Sequence, residues 1–433
     1  MVGPCWHPRP VAHQTSPPDV ATKLSAGAAY SDRVPRRLVP VDLAALPSAA
    51  ALERLAAALE GSGDALLPLP PDPPSVRALQ PLRPGAPLTD DEDDPSDPTA
   101  LVLATSGSTG VPKGALLPAS ALRYSAGATH RRLGGPGTWL LALAPHHVAG
   151  VQVLVRSVVA GTRPERLDLG GGFHPDSFAA ATERLADRAP GRRYTALVPT
   201  QLVRLLDAGG PGLRALTSYD AVLVGGTATP PAVLARARAA GARAVTTYGM
   251  SETCGGCVYD DRPLDAVRVR VVDGVVSLGG PVVARGYRGS TGSQAFPEDD
   301  GTRWFRTSDL GRWDGDRLRV LGRADDVLVT GGLKVAPQEV EAVLAAVPEV
   351  RECLLVGVPD VEWGQRLVAV VVPRHGGRPV PLEVLRGTVT AALGAHAAPR
   401  AVVEVPALPL RGPGKPDRRA AQDLAERALA RTR

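Results

Sequence analysis

From Leu101 onward the sequence alternates short apolar runs with stretches of helical spacing, and that alternation leaves few folds open. Tyr194 to Val198 reads as a strand, Thr200 to Leu206 as a helix, Ala221 to Val224 as a strand, Pro230 to Ala240 as a helix and Ala244 to Thr247 as a strand. Parallel neighbours need a crossover, and helical crossovers cover both faces of the sheet, so this βαβ rhythm implies a parallel sheet covered by helices. Ligands are then expected at the carboxyl ends of the strands. Val267 to Leu278 departs from that rhythm, its alternating valines and arginines broken by Asp273-Gly274, a hairpin signature that points to a small β subdomain. After Arg323 the pattern begins afresh, with helices at Pro337 to Leu344 and Leu382 to Leu393 and strands at Cys353 to Val358, Leu367 to Val372 and Ala401 to Val405. The expected fold is α/β: a large N-terminal domain, residues 1–323, with parallel sheets covered by helices plus the small β subdomain, and a smaller α+β C-terminal domain, residues 324–433.

A chain of 433 residues with 44% hydrophobic content is long enough for more than one core. Charged residues at 21% keep it out of the disordered class, although 47 glycines and 43 prolines make it rich in turns. The net charge of +5 comes from basic and acidic residues scattered along the chain rather than from a basic stripe, so nucleic acid is not an expected partner. Met1 to Cys5 lacks a basic segment followed by an apolar run, and no stretch approaches the length needed to span a bilayer; a cytoplasmic protein with no membrane partner is expected. Four cysteines do not make a disulfide framework, and Cys254 and Cys257, without a second pair or a nearby histidine, are expected to be small buried residues. Leu43 to Leu59 has helical spacing, and the acidic run Asp90 to Pro95 reads as a solvated loop, since it lacks the ligand spacing and central glycine of a calcium loop.

Only four of the 49 basic residues are lysines, and three of them, Lys113, Lys334 and Lys415, sit inside or beside glycine-rich stretches. Where arginine serves for generic positive charge, a retained lysine suggests a need for a compact ammonium on a flexible stem. Lys23 has no such setting and reads as surface. Lys113 ends the segment Thr105-Ser106-Gly107-Ser108-Thr109-Gly110-Val111-Pro112-Lys113-Gly114, between the strand-like runs Leu101 to Ala104 and Ala115 to Leu117. Glycines let backbone amides converge on an anion, hydroxyls donate to phosphate oxygens and the lysine adds mobile charge, so the loop suits a polyphosphate. It is not a P-loop, which needs glycine where Pro112 stands, Ser or Thr where Gly114 stands, and a helix to follow. From these residues alone, a structural hairpin loop is the reading a Gly/Ser/Thr cluster more often supports.

This segment resembles, nearly letter for letter, the signature loop of the AMP-forming acyl- and aryl-CoA synthetases, and further segments along the chain resemble that family in the same order. The resemblance implies a reaction in two steps on ATP, Mg²⁺ and coenzyme A, with the C-terminal domain mobile between them. It assigns Thr105, Ser106, Gly107, Ser108, Thr109, Gly110 and Lys113 to the β- and γ-phosphates. Gly225, Gly226 and Thr227 would border adenine and the acyl group; Tyr248 and Gly249 would hold adenine, Ser251 the α-phosphate and Glu252 the Mg²⁺. Arg306-Thr307-Ser308-Asp309 carries a serine where the family has glycine, and Asp309 would take the ribose hydroxyls with Arg323. Asp325 would be the hinge, Gly331, Gly332 and Lys334 would line the coenzyme A channel, and Lys415 would be the adenylation lysine. On the residues alone, Gly331-Gly332 before Pro337 could equally be a strand-to-helix corner and Arg411 to Arg419 a solvated tail.

Within that family the chain is most similar to the o-succinylbenzoate–CoA ligases of menaquinone synthesis, on Ala144 to Ser157 and Tyr248 to Tyr259. This implies His147 at the acyl pocket, and a cation or hydroxyls for a second carboxylate that is not activated: Arg156, with Thr200 and Ser251. Arg156 could instead cap a helix or pair with an acid. Another carboxylic acid as substrate, or a non-catalytic nucleotide-binding module of the same fold, are the competing functions; a homodimer is compatible with either.

Overall fold

The computed structural model describes residues 34–105, 112–188, 190–289, 294–374, 380–411 and 415–431. Ser106, Gly107, Ser108, Thr109 and Gly110 of the expected phosphate loop therefore lie outside the described residues, as does the side chain of Lys415.

The first sheet is built early in the chain. β1 (Leu38–Val41) is followed by α1 (Ser48–Glu60), β2 (Ala65–Pro68), α2 (Pro73–Ala78), β3 (Thr99–Thr105) and β4 (Lys113–Pro118). The three strands β1, β2 and β3 run parallel and β4 returns antiparallel, with Thr105 paired to Lys113 at the base of the loop. Helix α1 starts at Ser48 rather than Leu43, because Asp42 accepts the amides of Ala44 and Ala45 and holds that stretch as a turn. The acidic run is not simply solvated. Asp90 and Asp91 are exposed, but Glu92 is buried: it pairs with Arg288 at 2.7 Å, with the two side chains 9% and 4% exposed, and accepts the Gly289 amide at 2.8 Å. Asp93 pairs with Arg36 at 2.9 Å and accepts the Thr99 amide. A chain distance of 196 residues separates Glu92 from its partner, so local sequence carried no sign of it.

The second sheet follows. α3 (Ala119–Arg132), β5 (Thr138–Leu141), α4 (Val148–Ala160), β6 (Glu165–Arg166), α5 (Pro175–Arg188), β7 (Arg193–Leu197), α6 (Pro199–Ala208), α7 (Gly210–Thr217), β8 (Ala221–Val224), α8 (Pro231–Ala239), β9 (Ala244–Met250), β10 (Gly255–Tyr259) and β11 (Arg262–Pro263) give the strand order β11-β10-β9-β8-β7-β5-β6. The five strands from β9 to β6 are parallel, and β10 and β11 are antiparallel. Both faces are covered, which is why its strands read as unbroken apolar runs. Trp139, Leu141, Ala221 and Leu223 face a core shared with α1, α3, α4 and the first sheet, while Leu140, Val222 and Val224 face α5 to α8. Cys254 and Cys257 are buried in the shared core.

A smaller antiparallel sheet comes next, from β12 (Arg268–Val272), β13 (Val275–Gly279), β14 (Gly286–Tyr287), β15 (Glu298–Asp299), β16 (Thr302–Asp314) and β17 (Arg317–Arg323). The Asp273-Gly274 hairpin forms as expected, with Val272 paired to Val275. β14 leaves this group and completes the edge of the first sheet, Tyr287 pairing with Ala115 of β4.

The last region contains β18 (Leu328–Thr330), β19 (Leu333–Val335), α9 (Pro337–Leu344), β20 (Val350–Asp360), β21 (Gly364–Pro373), α10 (Leu382–Leu393), β22 (Ala401–Glu404), β23 (Leu410–Arg411), β24 (Lys415–Pro416) and α11 (Arg418–Arg431). Its sheet, β20-β21-β22, packs Leu355, Leu367 and Val371 toward α9 and α10, and Leu354, Val356 and Val370 toward α11. Gly331 and Gly332 are not a strand-to-helix corner: they form the two-residue turn of the β18–β19 hairpin, with φ of +55° and +78°. That left-handed pair matches the strand twist and favours glycine at both positions.

Candidate active site

Because β5, β7, β8 and β9 are parallel, the residues that leave their carboxyl ends share one edge of the second sheet: His147, Thr200, Gly225 to Thr227, and Tyr248 to Glu252. Gly225 is needed for close approach. A Cβ there would stand 2.3 Å from Thr247 Oγ1, so only glycine lets the turn after β8 lie against β9. Thr200 is half-buried in the first turn of α6, whose Gln201 ties the helix start to Val198 N and Ala142 O. Ser251 opens a short 3-10 turn, Ser251–Thr253, that tucks the Glu252 side chain inward.

Two tyrosines join this edge to the rest of the molecule. Tyr248 Oη donates to Asp309 Oδ2 at 2.6 Å. Burial raises the pKa of both groups, with the neighbouring carboxylate pushing Tyr248 further up and the tyrosine's donation drawing Asp309 back down, so the proton stays on the phenol. Asp309 on β16 is thereby fixed beside the aromatic ring expected to take adenine. Tyr287 Oη donates to Glu252 Oε1 at 2.6 Å, and Lys113 Nζ lies 5.2 Å from the centre of the Tyr287 ring. Burial pushes the Glu252 carboxyl up, while Tyr287, Lys113 and Arg323 pull it down. Tyr287 thus links Lys113, at the base of the expected phosphate loop, to the expected metal ligand. Sequence reasoning missed it, since a two-residue strand has no periodicity to reveal it.

The residues present fit a Mg²⁺ ion brought in by a triphosphate. Among the described residues no three His, Cys, Asp or Glu side chains group as a protein-only metal site, whereas one buried carboxylate, Glu252, is what Mg²⁺ needs when phosphate oxygens supply other ligands. Tyr287→Phe would keep the ring beside Lys113 and remove the donor that orients Glu252. The Mg²⁺ concentration for half-maximal pyrophosphate release is expected to rise about tenfold, read by metal titration at saturating ATP.

Arg156 lies on α4, the helix that follows His147, and is 3% exposed. It neither caps a helix nor meets an acid among the described residues. Its Nη2 donates to Tyr259 Oη at 3.4 Å, its guanidinium carbon stands 4.9 Å from the Trp139 ring centre, and its Nε has no partner among the described residues. Thr129 Oγ1 bonds to Tyr259 Oη at 2.9 Å. Burial and then the Arg156 charge lower His130 to a pKa of about 4, so the histidine beside this cation stays neutral. The Tyr259 ring would lie 3.3 Å from a Cβ on Gly256, and Gly256 pairs with Gly249, so the tyrosine that meets the cation packs against the strand pair that carries Gly249. His147 is exposed, with its ring centre 4.1 Å from that of His146 and the two planes tilted by 48°.

Arg323, at the end of β17, commits two guanidinium nitrogens to Asp325 at 2.8 Å each. That pair raises the arginine's pKa and lowers the carboxyl's, and locks the expected hinge to the expected ribose ligand. The hairpin with Gly331, Gly332 and Lys334 makes its contacts within its own region: Gly331 N donates to Trp363 O at 2.9 Å and Val329 N to Gln365 Oε1 at 2.8 Å. Lys334 is exposed. The Lys415 backbone pairs with Arg411.

The family model described as AMP-binding enzyme matches residues 39–287, and that of the AMP-binding enzyme C-terminal domain matches residues 339–415. The chain belongs to the AMP-binding enzyme family. Among relatives of this AMP-binding enzyme, the probable 2-succinylbenzoate–CoA ligase of Mycobacterium tuberculosis is 50% identical over 325 residues, covering 74% of this chain and 83% of the relative. The 2-succinylbenzoate–CoA ligase of Escherichia coli is 34% identical over 281 residues, covering 63% and 58%. A variant of E. coli MenE with bound OSB-AMS superposes with a TM-score of 0.66 at 26% identity, over 84% of this chain and 82% of that one. Its architecture, a large N-terminal part with helix-covered sheets and a smaller C-terminal part, is the one described above.

Proposed function

We propose that this enzyme is an ATP-dependent o-succinylbenzoate–CoA ligase, with residues 1–323 as the ATP- and acid-binding body and 324–433 as the moving domain. The substrate's aliphatic carboxylate oxygen attacks the α-phosphorus of ATP; the bond to the bridging oxygen breaks and pyrophosphate leaves with that electron pair. The coenzyme A thiol then attacks the acyl carbon, its proton passes to solvent, and AMP departs as the thioester forms. Tyr248 and Gly249 hold the adenine while Asp309 and Arg323 take the ribose. Lys113 and the loop Ser106 to Gly110 hold the phosphates, Ser251 bonds the α-phosphate, and Lys415 offsets the charge that builds as the carboxylate attacks. Mg²⁺ held by Glu252 and the triphosphate would neutralise the leaving pyrophosphate. Rotation about Asp325 withdraws Lys415 and brings Gly331, Gly332 and Lys334 forward for coenzyme A. All three substrates are water-soluble, which suits a cytoplasmic enzyme.

The observation that carries the choice of acid is Arg156. A buried guanidinium that meets no carboxylate among the described residues is costly unless an anion completes it, and a substrate with a second, unactivated carboxylate supplies one. His147, Thr200 and Ser251, at the carboxyl ends of the neighbouring strands, are the further candidates for the acid. Offering o-succinylbenzoate, ATP, Mg²⁺ and coenzyme A is expected to give pyrophosphate and the acyl-CoA mass. Pyrophosphate release with another acid but none with this one would refute the choice of substrate.

A further inference from the structure

Arg418 follows Lys415 by three residues and opens α11, and its side chain is built into a network that the roles above leave unused. Its Nη1 and Nη2 donate to the two carboxylate oxygens of Glu341 on α9 at 2.6 and 2.9 Å, and Nη1 also donates to Leu355 O of β20 at 3.1 Å. Its Nε is 3.5 Å from Asp326, the residue after the hinge. Glu341 in turn accepts the Leu355 amide at 2.8 Å, so its carboxylate is held from two sides. The Arg418 and Glu341 side chains are 23% and 15% exposed, which removes much of the solvent screening that weakens surface pairs. Between the lysine and this anchor the chain has little slack: Pro416 pairs with Leu410, the Asp417 amide donates to Pro409 O at 2.8 Å, and Asp417 Oδ1 accepts the Ala420 amide.

We infer that Arg418 is a positioning residue for the adenylation half-reaction, fixing the strand that carries Lys415 to the body of the C-terminal domain so that lysine and hinge move together. A planar fork is required here. Lysine offers one point charge and cannot satisfy both Glu341 oxygens and the Leu355 carbonyl in the same plane. The inference rests on the two-step reading above, and the half-reactions separate the two. Acid-dependent ATP–pyrophosphate exchange reports the step that needs Lys415. Thioester formation from purified acyl-adenylate and coenzyme A reports the step from which Lys415 is withdrawn.

Arg418→Gln, Arg418→Lys and Glu341→Gln are each expected to slow exchange roughly ten- to fiftyfold, the size of effect that a small misplacement of a catalytic group produces, while thioester formation stays near the wild-type rate. Should Arg418→Gln fail to fold, Arg418→Lys, which keeps the charge, decides the matter. Equal loss in both half-reactions in folded Arg418→Lys, or loss in neither, overturns the positioning role and leaves Arg418 a structural brace or a bystander. Failure of the wild-type enzyme to catalyse exchange with any acid would instead overturn the reading of the reaction.

Discussion

Lys415→Ala is expected to slow ATP–pyrophosphate exchange by about 10³-fold, the scale on which loss of one aimed, charge-stabilising group acts in a water-excluded site. The reason lies in where charge moves. As the carboxylate attacks, negative charge shifts from the acid through the α-phosphate to the departing oxygen, and an ammonium placed between them interacts more strongly with that transition state than with either ground state. The backbone of Lys415 pairs with Arg411 within the C-terminal region, so the residue travels with that domain rather than with the nucleotide edge. Thioester formation from preformed adenylate is therefore expected to change little, and single-turnover measurement of both steps checks the split. An exchange rate left unaltered by the substitution would return the Gly-Lys segment to a solvated tail.

The second large effect is at Arg156. Arg156→Met keeps much of the volume and removes the charge, so the KM for o-succinylbenzoate is expected to rise about 10²-fold, the upper range for losing hydrogen bonds to an ionised group. A monocarboxylate analogue lacking the ring carboxylate should be handled alike by both proteins. Stability is expected to move the other way, with Tm held or raised. Burying an unpaired cation opposes folding, and a well-packed apolar replacement relieves that cost, offset in part by the lost contact with the Trp139 ring. His130 adds a pH signature. Its pKa falls from 6.5 to about 4 on folding, through burial first and the Arg156 charge second. Between those values the unfolded chain binds more protons, so stability falls as pH drops through the window, and Arg156→Met should flatten the slope. Thermal melts from pH 7 to 4 on both proteins, beside the kinetics, test this; a KM that changes equally for both acids would remove Arg156 from the substrate site.

The sequence by itself determined the features that local chemistry controls. Helices α9 and α10 fall at Pro337–Leu344 and Leu382–Leu393 as expected, since Pro337 occupies the first helical turn of one and Gly394 stops the other. The Asp273-Gly274 turn, the strand ends carrying Gly225 and Tyr248, and the parallel sheet followed from turn residues and apolar runs read within a few positions. The motif order pointed to Glu252, Asp309 and Lys113 as candidate site residues. Only the tertiary structure decided what each of these touches. Tyr287 reaches Glu252 across 35 residues, Arg418 reaches Glu341 across 77 and Arg288 reaches Glu92 across 196. For Arg156 the sequence left a cation for the second carboxylate, a helix cap and an acid's partner all open, and only the packing of Trp139, His130 and Tyr259 around it showed what it touches. Periodicity and turn chemistry act over a few residues, whereas the burial and pairing of a charge depend on which distant elements pack against it.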